Sequence, residues 1–523
     1  MCFRWCLNKT MKKLNKTLLI ICLGLGIIYG SKADANNILG GEITWNQVGK
    51  DTFMITLTLY RDCNGNAFGN QQVLVKCQST GITLDTLIFS AVSGVDITPV
   101  CKTSCSRCDS SSCSFIYGIQ KYEYKQMLII QNAGSCCKIL LAYSQCCRPS
   151  TITTGPASTN FYIDSWFNRC LDKPDSSPVF MNAPVHILCI GLDFQWAPGI
   201  NENDRDSVSL SYSYNNGPRI NSTTKVTYIS PYTYEKFIYF WGFPNTSLPF
   251  PRGFDLDLKT GEYGFRTMKL EQTVTAYNVE QWRKINGNYE QISSTTRETH
   301  FFVVKCPSNV SYLGLSGPKY KEVCEGDTVI FSIGSIDYTY KDSLKIYYNG
   351  EIEDALWSDN NGFTKIPTGN FKWGTKIGDA SRLPYYFTVT AKSSSCDLLT
   401  STTRVYQIIV KKKPSPPAFH DTLLYCNEIK LEAITPLPYH TYYWEIGENP
   451  AVKMSGTKIN YLTSKAGKIP VNLYSLYQGC KSDLKRDTIS VDTFMNLDKL
   501  MNDTNCINDS LIVRANVKYN KGK

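Results

Sequence analysis

Histidine is scarce in this chain of 523 residues: there are four, His186, His300, His420 and His440, no two closer than 20 positions. That scarcity excludes the His-Glu-x-x-His pattern of a zinc hydrolase. The Gly-x-Ser-x-Gly elbow and the glycine-rich loop that cradles phosphates are also missing. A glycosidase needs just two carboxylates about 5–10 Å apart, and nothing among the 45 acids nominates such a pair. His186, on an alternating stretch, reads as a packed or surface histidine rather than a base. Nor does positive charge gather. The 55 Lys and Arg are scattered, and the one run, Lys411 to Lys413, abuts Pro-Ser-Pro-Pro and reads as a solvated linker. Nucleic acid is therefore not an expected partner.

Long apolar runs are absent but for one. From Met11 the chain reads MKKLNKTLLIICLGLGIIYGSKADA, a basic start, an apolar run from Thr17 to Tyr29, and Ala33-Asp34-Ala35 as a small-x-small cleavage site. About 13 apolar residues fall short of the roughly 20 that a helix needs to cross a bilayer. Residues 1–35 are thus expected to be a signal peptide, with translation starting at Met11. No membrane span is expected after its removal. Its loss takes six basic residues and one acid from a formal charge of +10, leaving +5.

Cysteine, in contrast, is abundant. Eighteen of the 21 lie beyond residue 35, twelve between Cys63 and Cys189 and six between Cys306 and Cys506. Cys101-x-x-x-Cys105-x-x-Cys108 has the spacing of an iron–sulfur ligand set, yet export and the missing helical periodicity turn the reading to disulfides. Cys136-Cys137 and Cys146-Cys147 are adjacent pairs, each member expected to bond elsewhere because an eight-membered ring strains the peptide.

Period-two patterning runs through the rest. In FMITLTLY, Ile55, Leu57 and Leu59 alternate with Thr56, Thr58 and Tyr60, and in DSVSLSYSY, Val208 and Leu210 alternate with serines. Thirty-three tyrosines and frequent Gly, Asn and Asp turn clusters agree. The expected fold class is all-β, tandem β-sandwiches behind a disulfide-rich N-terminal β domain. VCEGDTVIF at Val323, YCNEIKLEA at Tyr425 and NCINDSLIV at Asn505 form a repeat, each with a cysteine opening a strand. Later strands end at Cys396 and Cys480, a spacing that staples the two sheets of an immunoglobulin-like sandwich. The expected bridges are Cys324–Cys396 and Cys426–Cys480, with Trp444 packed on the second. The third copy stops after its first cysteine, Cys506, so the reading frame is expected to be truncated.

The segments GGEITW at Gly40, LTLYRDCNG at Leu57, YSQCCRPSTITTG at Tyr143, NFYIDSWFNRC at Asn160, SSPVFMNAPVHILCIG at Ser176, FDLDLKTGEYGF at Phe254 and VEQWRK at Val279 together resemble a family. It comprises the large secreted or cell-surface proteins of Bacteroidetes bacteria, gliding-motility-associated or adhesin-like. The resemblance covers about residues 38 to 306. It implies a cysteine-rich domain at 36–176, a cadherin-like sandwich at 177–306, Ig/PKD-like domains at 307–413 and 414–493, and the start of a further repeat at 494–523. It also implies attachment through a C-terminal type IX secretion sorting domain, which this chain does not show.

In the same family an Asp-x-Asp-Gly-Asp-Ser run resembles the calcium linkers of cadherin-like domains. Glu202, Asp204 and Asp206 of NENDRDS stand at that place and would ligate calcium, which takes hard oxygens. Arg205 stands where the glycine would be, and the segment reads equally as a solvated acidic turn. Thr260-Gly261 is expected to turn a hairpin, with Asp255 and Asp257 structural. Function is expected to be non-enzymatic adhesion or surface structure, with a glycan or protein ligand. Trp166, Trp241 and Trp282 are candidate anchors or core residues. The alternatives are a carbohydrate-binding module and a polysaccharide-processing enzyme with accessory sandwiches.

Overall fold

The computed structural model describes residues 37–519, apart from 102, 132, 203, 205, 212–216, 241–252, 307–309, 351, 382, 395–397, 426–427, 448–449, 492–494 and 503–512. Every regular element among the described residues is a strand, so the fold is all-β.

The first unit contains β1 (Ile38–Gly49), β2 (Thr52–Asp62), β3 (Gln71–Cys77), β4 (Thr83–Phe89), β5 (Val95–Asp96), β6 (Ile119–Ile129), β7 (Lys138–Gln145) and β8 (Phe161–Asn168). Period two behaves as expected in β2, where Phe53, Ile55, Leu57 and Leu59 all enter the core. The next stretch has short β9 (Val179–Phe180), β10 (Val185–Cys189), β11 (Asp193–Trp196), β12 (Ile200–Asn201), β13 (Ser207–Ser211), β14 (Asp255–Leu256) and β15 (Tyr263–Arg266). It ends in a long hairpin, β16 (Glu271–Ile285) and β17 (Asn288–Val304). The Thr260-Gly261 turn joins β14 to β15: Asp257 Oδ1 accepts the N–H of Lys259 and Thr260, and Gly261 takes φ +70°.

β17 organises both stretches. One edge pairs with β16 along almost its whole length; the other pairs in turn with β8, β1 and, in parallel, β10. The sheet order β4-β3-β7-β8-β17-β1-β2-β6-β5 therefore crosses the division expected at residue 176. Because β17 is central and covered on both faces, Ile292 to Val303 are all buried, although most of them are polar. Residues 37–306 form one N-terminal body around this shared sheet.

The third unit has β18 (Leu313–Leu315), β19 (Tyr320–Cys324), β20 (Thr328–Asp337), β21 (Leu344–Tyr348), β22 (Leu356–Asp359), β23 (Thr368–Gly374), β24 (Tyr385–Ser393) and β25 (Ser401–Lys411). Two four-stranded sheets, β18-β20-β23-β22 and β19-β25-β24-β21, enclose Phe331, Phe371, Phe387 and Tyr406, the middle two stacked at 4.1 Å. The fourth unit, β26 (Phe419–Tyr425), β27 (Glu428–Ala433), β28 (Thr441–Ile446), β29 (Val452–Ser455), β30 (Lys458–Leu462), β31 (Gly467–Tyr477), β32 (Cys480–Lys481) and β33 (Lys485–Val491), is likewise two sheets around Trp444. Each is a face-to-face sandwich. A hairpin of β34 (Met495–Asn502) and β35 (Val513–Tyr519) follows.

The disulfides answer the Cys101–Cys108 question: Cys63 bonds Cys108, Cys105 bonds Cys113, and Cys101 is also disulfide-bonded, so none of these sulfurs is a free thiolate. Gly118 lies so close to the first bridge that a Cβ there would come within 2.8 Å of Cys108 Sγ. Cys77–Cys136, Cys137–Cys170 and Cys189–Cys306 complete the scaffold of the N-terminal body. Two expectations are corrected. Cys146 and Cys147 bond each other, closing the eight-membered ring across a cis peptide. Cys324 bonds Cys480, so neither Cys324–Cys396 nor Cys426–Cys480 forms in this structure; Cys396 and Cys426 themselves lie outside the described residues. The reason is position: Cys324 ends β19 at the rim of the third unit, where the linker leaves, and β32 of the fourth unit comes to that rim. Trp444 is buried without the expected bridge, its Nε1 donating to the Gly456 carbonyl at 2.8 Å.

Candidate functional site

The acidic loop between β12 and β13 packs against the segment just before β9 and against β16. Arg283 of β16 lies between two carboxylates there, its Nη2 2.9 Å from Asp175 Oδ1 and 2.8 Å from Asp206 Oδ2. Glu202 Oε2 accepts from Gln281 Nε2 at 2.8 Å, and its Oε1 accepts the Asp204 N–H at 3.1 Å. The calcium candidates thus share one corner with a carboxylate that sequence reasoning missed, Asp175, 27 residues upstream of Glu202. The positive charge they meet is a guanidinium. Among the described residues, no three of these carboxylates bring oxygens within 4.8 Å of one another.

Burial dominates the electrostatics of this corner. It pushes the Glu202 carboxyl up to about 9, helped by Asp206, Asp204 and Asp175. It also holds Asp175 at about 8, Asp206 reinforcing it against the pull of Arg283. His186 and His300 move the other way, both lowered to about 3 by burial. His186 is packed among Phe194, Trp196 and Phe301, as a core side chain.

These shifts set a pH profile. A carboxyl raised from about 4 to 8 or 9 stabilises the fold fully below pH 4, and the contribution is lost as pH rises through 8–9. A histidine lowered from about 6.5 to 3 stabilises it above pH 6.5, and the contribution is lost as pH falls through 3. Between about pH 4 and 6.5 the two slopes oppose each other. Melting temperature should therefore be highest in that window and fall on both sides. Asp175→Asn should flatten the alkaline side alone, which thermal unfolding at pH 3, 5.5 and 8.5 checks; an unchanged alkaline slope in the variant would refute the assignment.

A second set of groups fastens the units together. Inside the N-terminal body, Arg148 meets Glu298 of β17 through Nε–Oε1 at 2.6 Å and Nη2–Oε2 at 2.5 Å, both side chains fully buried. On the opposite face of the strand Arg297 lies 3.2 Å from Glu42. At the joint to the third unit, Glu262 Oε2 accepts the Val405 N–H at 2.6 Å and its Oε1 accepts from Lys319 at 2.8 Å. Tyr312 donates to Asp193 at 2.5 Å, and the Leu399 N–H reaches the Pro99 carbonyl at 2.8 Å. The joint to the fourth unit carries the Cys324–Cys480 bridge, Lys413 on Asp483 at 2.6 Å, and the Lys413 N–H on Glu325 at 3.0 Å. The basic run read as a solvated linker is part of this clamp, because the fourth unit supplies acceptors that lie far off in sequence.

The tryptophan candidates divide. Trp166 is half-buried with Lys138 Nζ 4.8 Å over its ring, and Trp282, also half-buried, donates to Ser209 at 3.2 Å. Trp241 lies outside the described residues. Among the described residues no helix is long and apolar enough to cross a membrane.

No protein-family model matches the chain, and no curated protein matches it. Similar solved structures include the following. The chicken CNTN1 FN1–FN3 domains share 9% identity at a TM-score of 0.20, covering 57% of this chain and 95% of that one. The ICAM-5 D1–D4 ectodomain fragment shares 9% at 0.20, covering 84% and 95%. The mouse nectin-like molecule 4 ectodomain, Ig1–Ig3, shares 12% at 0.15, covering 59% and 96%.

Proposed function

We propose that this protein is a non-enzymatic extracellular or cell-surface adhesion protein, a series of interlocked β units that holds a binding surface away from its attachment point. The observation that carries the reading is the fastening of each unit to the next, by a shared strand, by buried polar contacts and by an inter-unit disulfide. Such joints resist bending and pulling, which an adhesive stalk needs and a soluble catalyst does not. Disulfides persist in oxidising surroundings, outside the cytosol. The sequence resemblance adds a finer form of the proposal, a Bacteroidetes surface protein tied to gliding motility or type IX secretion, with a glycan or protein ligand. Calcium at Glu202, Asp204 and Asp206 belongs to it only if the ion displaces Arg283 from Asp206.

The test is a binding assay with the purified secreted chain on immobilised polysaccharides and on whole cells, alongside a reducing-sugar assay. Saturable retention with no sugar release is expected. Release of reducing sugar would instead make the polysaccharide-processing alternative the right one.

A further inference from the structure

The pairing of β3, β7, β8, β17, β16 and β13 lines up one row of side chains across six strands: Lys76, Leu140, Trp166, Ser294, Glu280 and Ser209. The row faces outward. Phe161, Ile163 and Phe167, which alternate with Trp166 on β8, enter the core, and Gln281 and Arg283, which alternate with Glu280 on β16, face the acidic corner. Trp282 stands two residues beyond Glu280 on the same face, where its Nε1 donates to Ser209 Oγ. Trp166 and Trp282 are therefore two strands and two residues apart, about 12 Å, which is about the span of two to three linked pyranose rings.

The relief of the row is a trough. Ser294 is 5% exposed and forms its floor, below the taller, half-buried Trp166, Glu280 and Trp282. Among the described residues the Glu280 carboxylate has neither an ion pair nor a hydrogen-bond partner, so an unengaged acceptor stands between two indoles. That is the complement of a sugar ring, whose C–H face packs on an aromatic face and whose rim carries hydroxyl donors. The same features disfavour a protein partner: the middle of a protein interface is apolar and depleted of charge, whereas the middle here is Ser294 and Glu280. They also disfavour a uronic-acid chain, which would set its carboxylates against Glu280.

We propose that this trough binds a neutral polysaccharide chain laid across the strands, with Trp166 and Trp282 each stacked on a sugar ring and Glu280 accepting from hydroxyls between them. The proposal rests on the adhesion reading and names its ligand class and its surface. Lys138 is exposed and lies over Trp166, Nζ 4.8 Å from the ring centroid. Such a contact at an exposed site is weak, so a sugar ring takes the place of the ammonium. Leu140 and Lys76 extend the row beyond Trp166, and Ser209 extends it beyond Glu280, so a chain of several units is held better than a monosaccharide.

Affinity electrophoresis of the full chain tests this, in gels that hold hydroxyethyl cellulose, galactomannan, laminarin or pullulan, with alginate as the acidic comparison. Retardation by at least one neutral polysaccharide and none by alginate is expected. Trp166→Ala and Trp282→Ala should each weaken it about tenfold. Glu280→Gln, which keeps the shape of the side chain, should weaken it about fivefold at an unchanged melting temperature, so the result does not hang on whether the tryptophan variants fold. Retardation by alginate alone, or retardation equal to wild type in both Glu280→Gln and the double tryptophan variant, would overturn the proposal. Retention of the wild-type chain on whole cells separates the two readings. A chain held by cells but by no neutral polysaccharide overturns this site and leaves adhesion standing; a chain held by neither overturns both.

Discussion

Arg148→Met should destabilise the N-terminal body by about 3–5 kcal/mol, because it strands the Glu298 carboxyl in a fully buried site. Arg148 holds more than the carboxylate: it also donates to the Thr159 hydroxyl at 3.1 Å and to the Arg219 carbonyl at 3.0 Å, so its loss leaves several acceptors unsatisfied. Burial already raises the Glu298 carboxyl, and Arg148 opposes that rise. Without the guanidinium the group will take up a proton rather than remain charged. The double variant Arg148→Met with Glu298→Leu should recover most of the loss, since replacing both members of a buried pair with apolar groups is often neutral. Urea unfolding of the two variants beside the wild type measures this. A single variant within about 1 kcal/mol of wild type would show that the pair is not buried as described.

Breaking the Cys324–Cys480 bridge should have a comparable effect, of a different kind. The two sulfurs close a loop with a sequence separation of 156, for which chain entropy alone gives about 5 kcal/mol. The remaining clamps at that joint, such as Lys413 with Asp483, are largely exposed on one side and so contribute roughly 0–1 kcal/mol each. The double variant Cys324→Ser with Cys480→Ser should therefore let the third and fourth units unfold separately, splitting one calorimetric transition into two. Small-angle scattering should show a broader spread of maximum dimension as the joint loosens. Should melting and scattering both match the wild type, the joint owes its rigidity to the non-covalent contacts instead.

Much of the architecture was legible in the letters. Strands such as β2 announce themselves because their apolar residues alternate and one face meets the core; Trp444 reads as a core residue because its neighbours on β28 alternate too. β17 does not announce itself. Its ISSTTRETH stretch has the polarity of a solvated strand, yet it is buried because strands from four other places in the chain pair with it or cover it. Burial of polar residues follows from pairing partners, which local pattern does not encode. The acidic corner was half legible: alternation singled out Glu202, Asp204 and Asp206, while Asp175 and Arg283 arrive from segments with no local mark. For the same reason the disulfide map could not be read from spacing. Cys324 and Cys480 belong to different repeats, and the adjacent Cys146 and Cys147 bond each other.

By itself, the order of residues determined that this protein is built of strands and that its second half repeats a sandwich, and it pointed to sulfurs paired as disulfides. Those properties follow from period-two alternation, turn chemistry and closely spaced cysteines, all of them local. Tertiary structure alone decided that the two N-terminal stretches share one sheet, that a disulfide joins neighbouring units, and that Arg283 and Asp175 meet the acidic loop. Each of these depends on which distant surfaces come into contact, and that is settled by packing once the strands have formed.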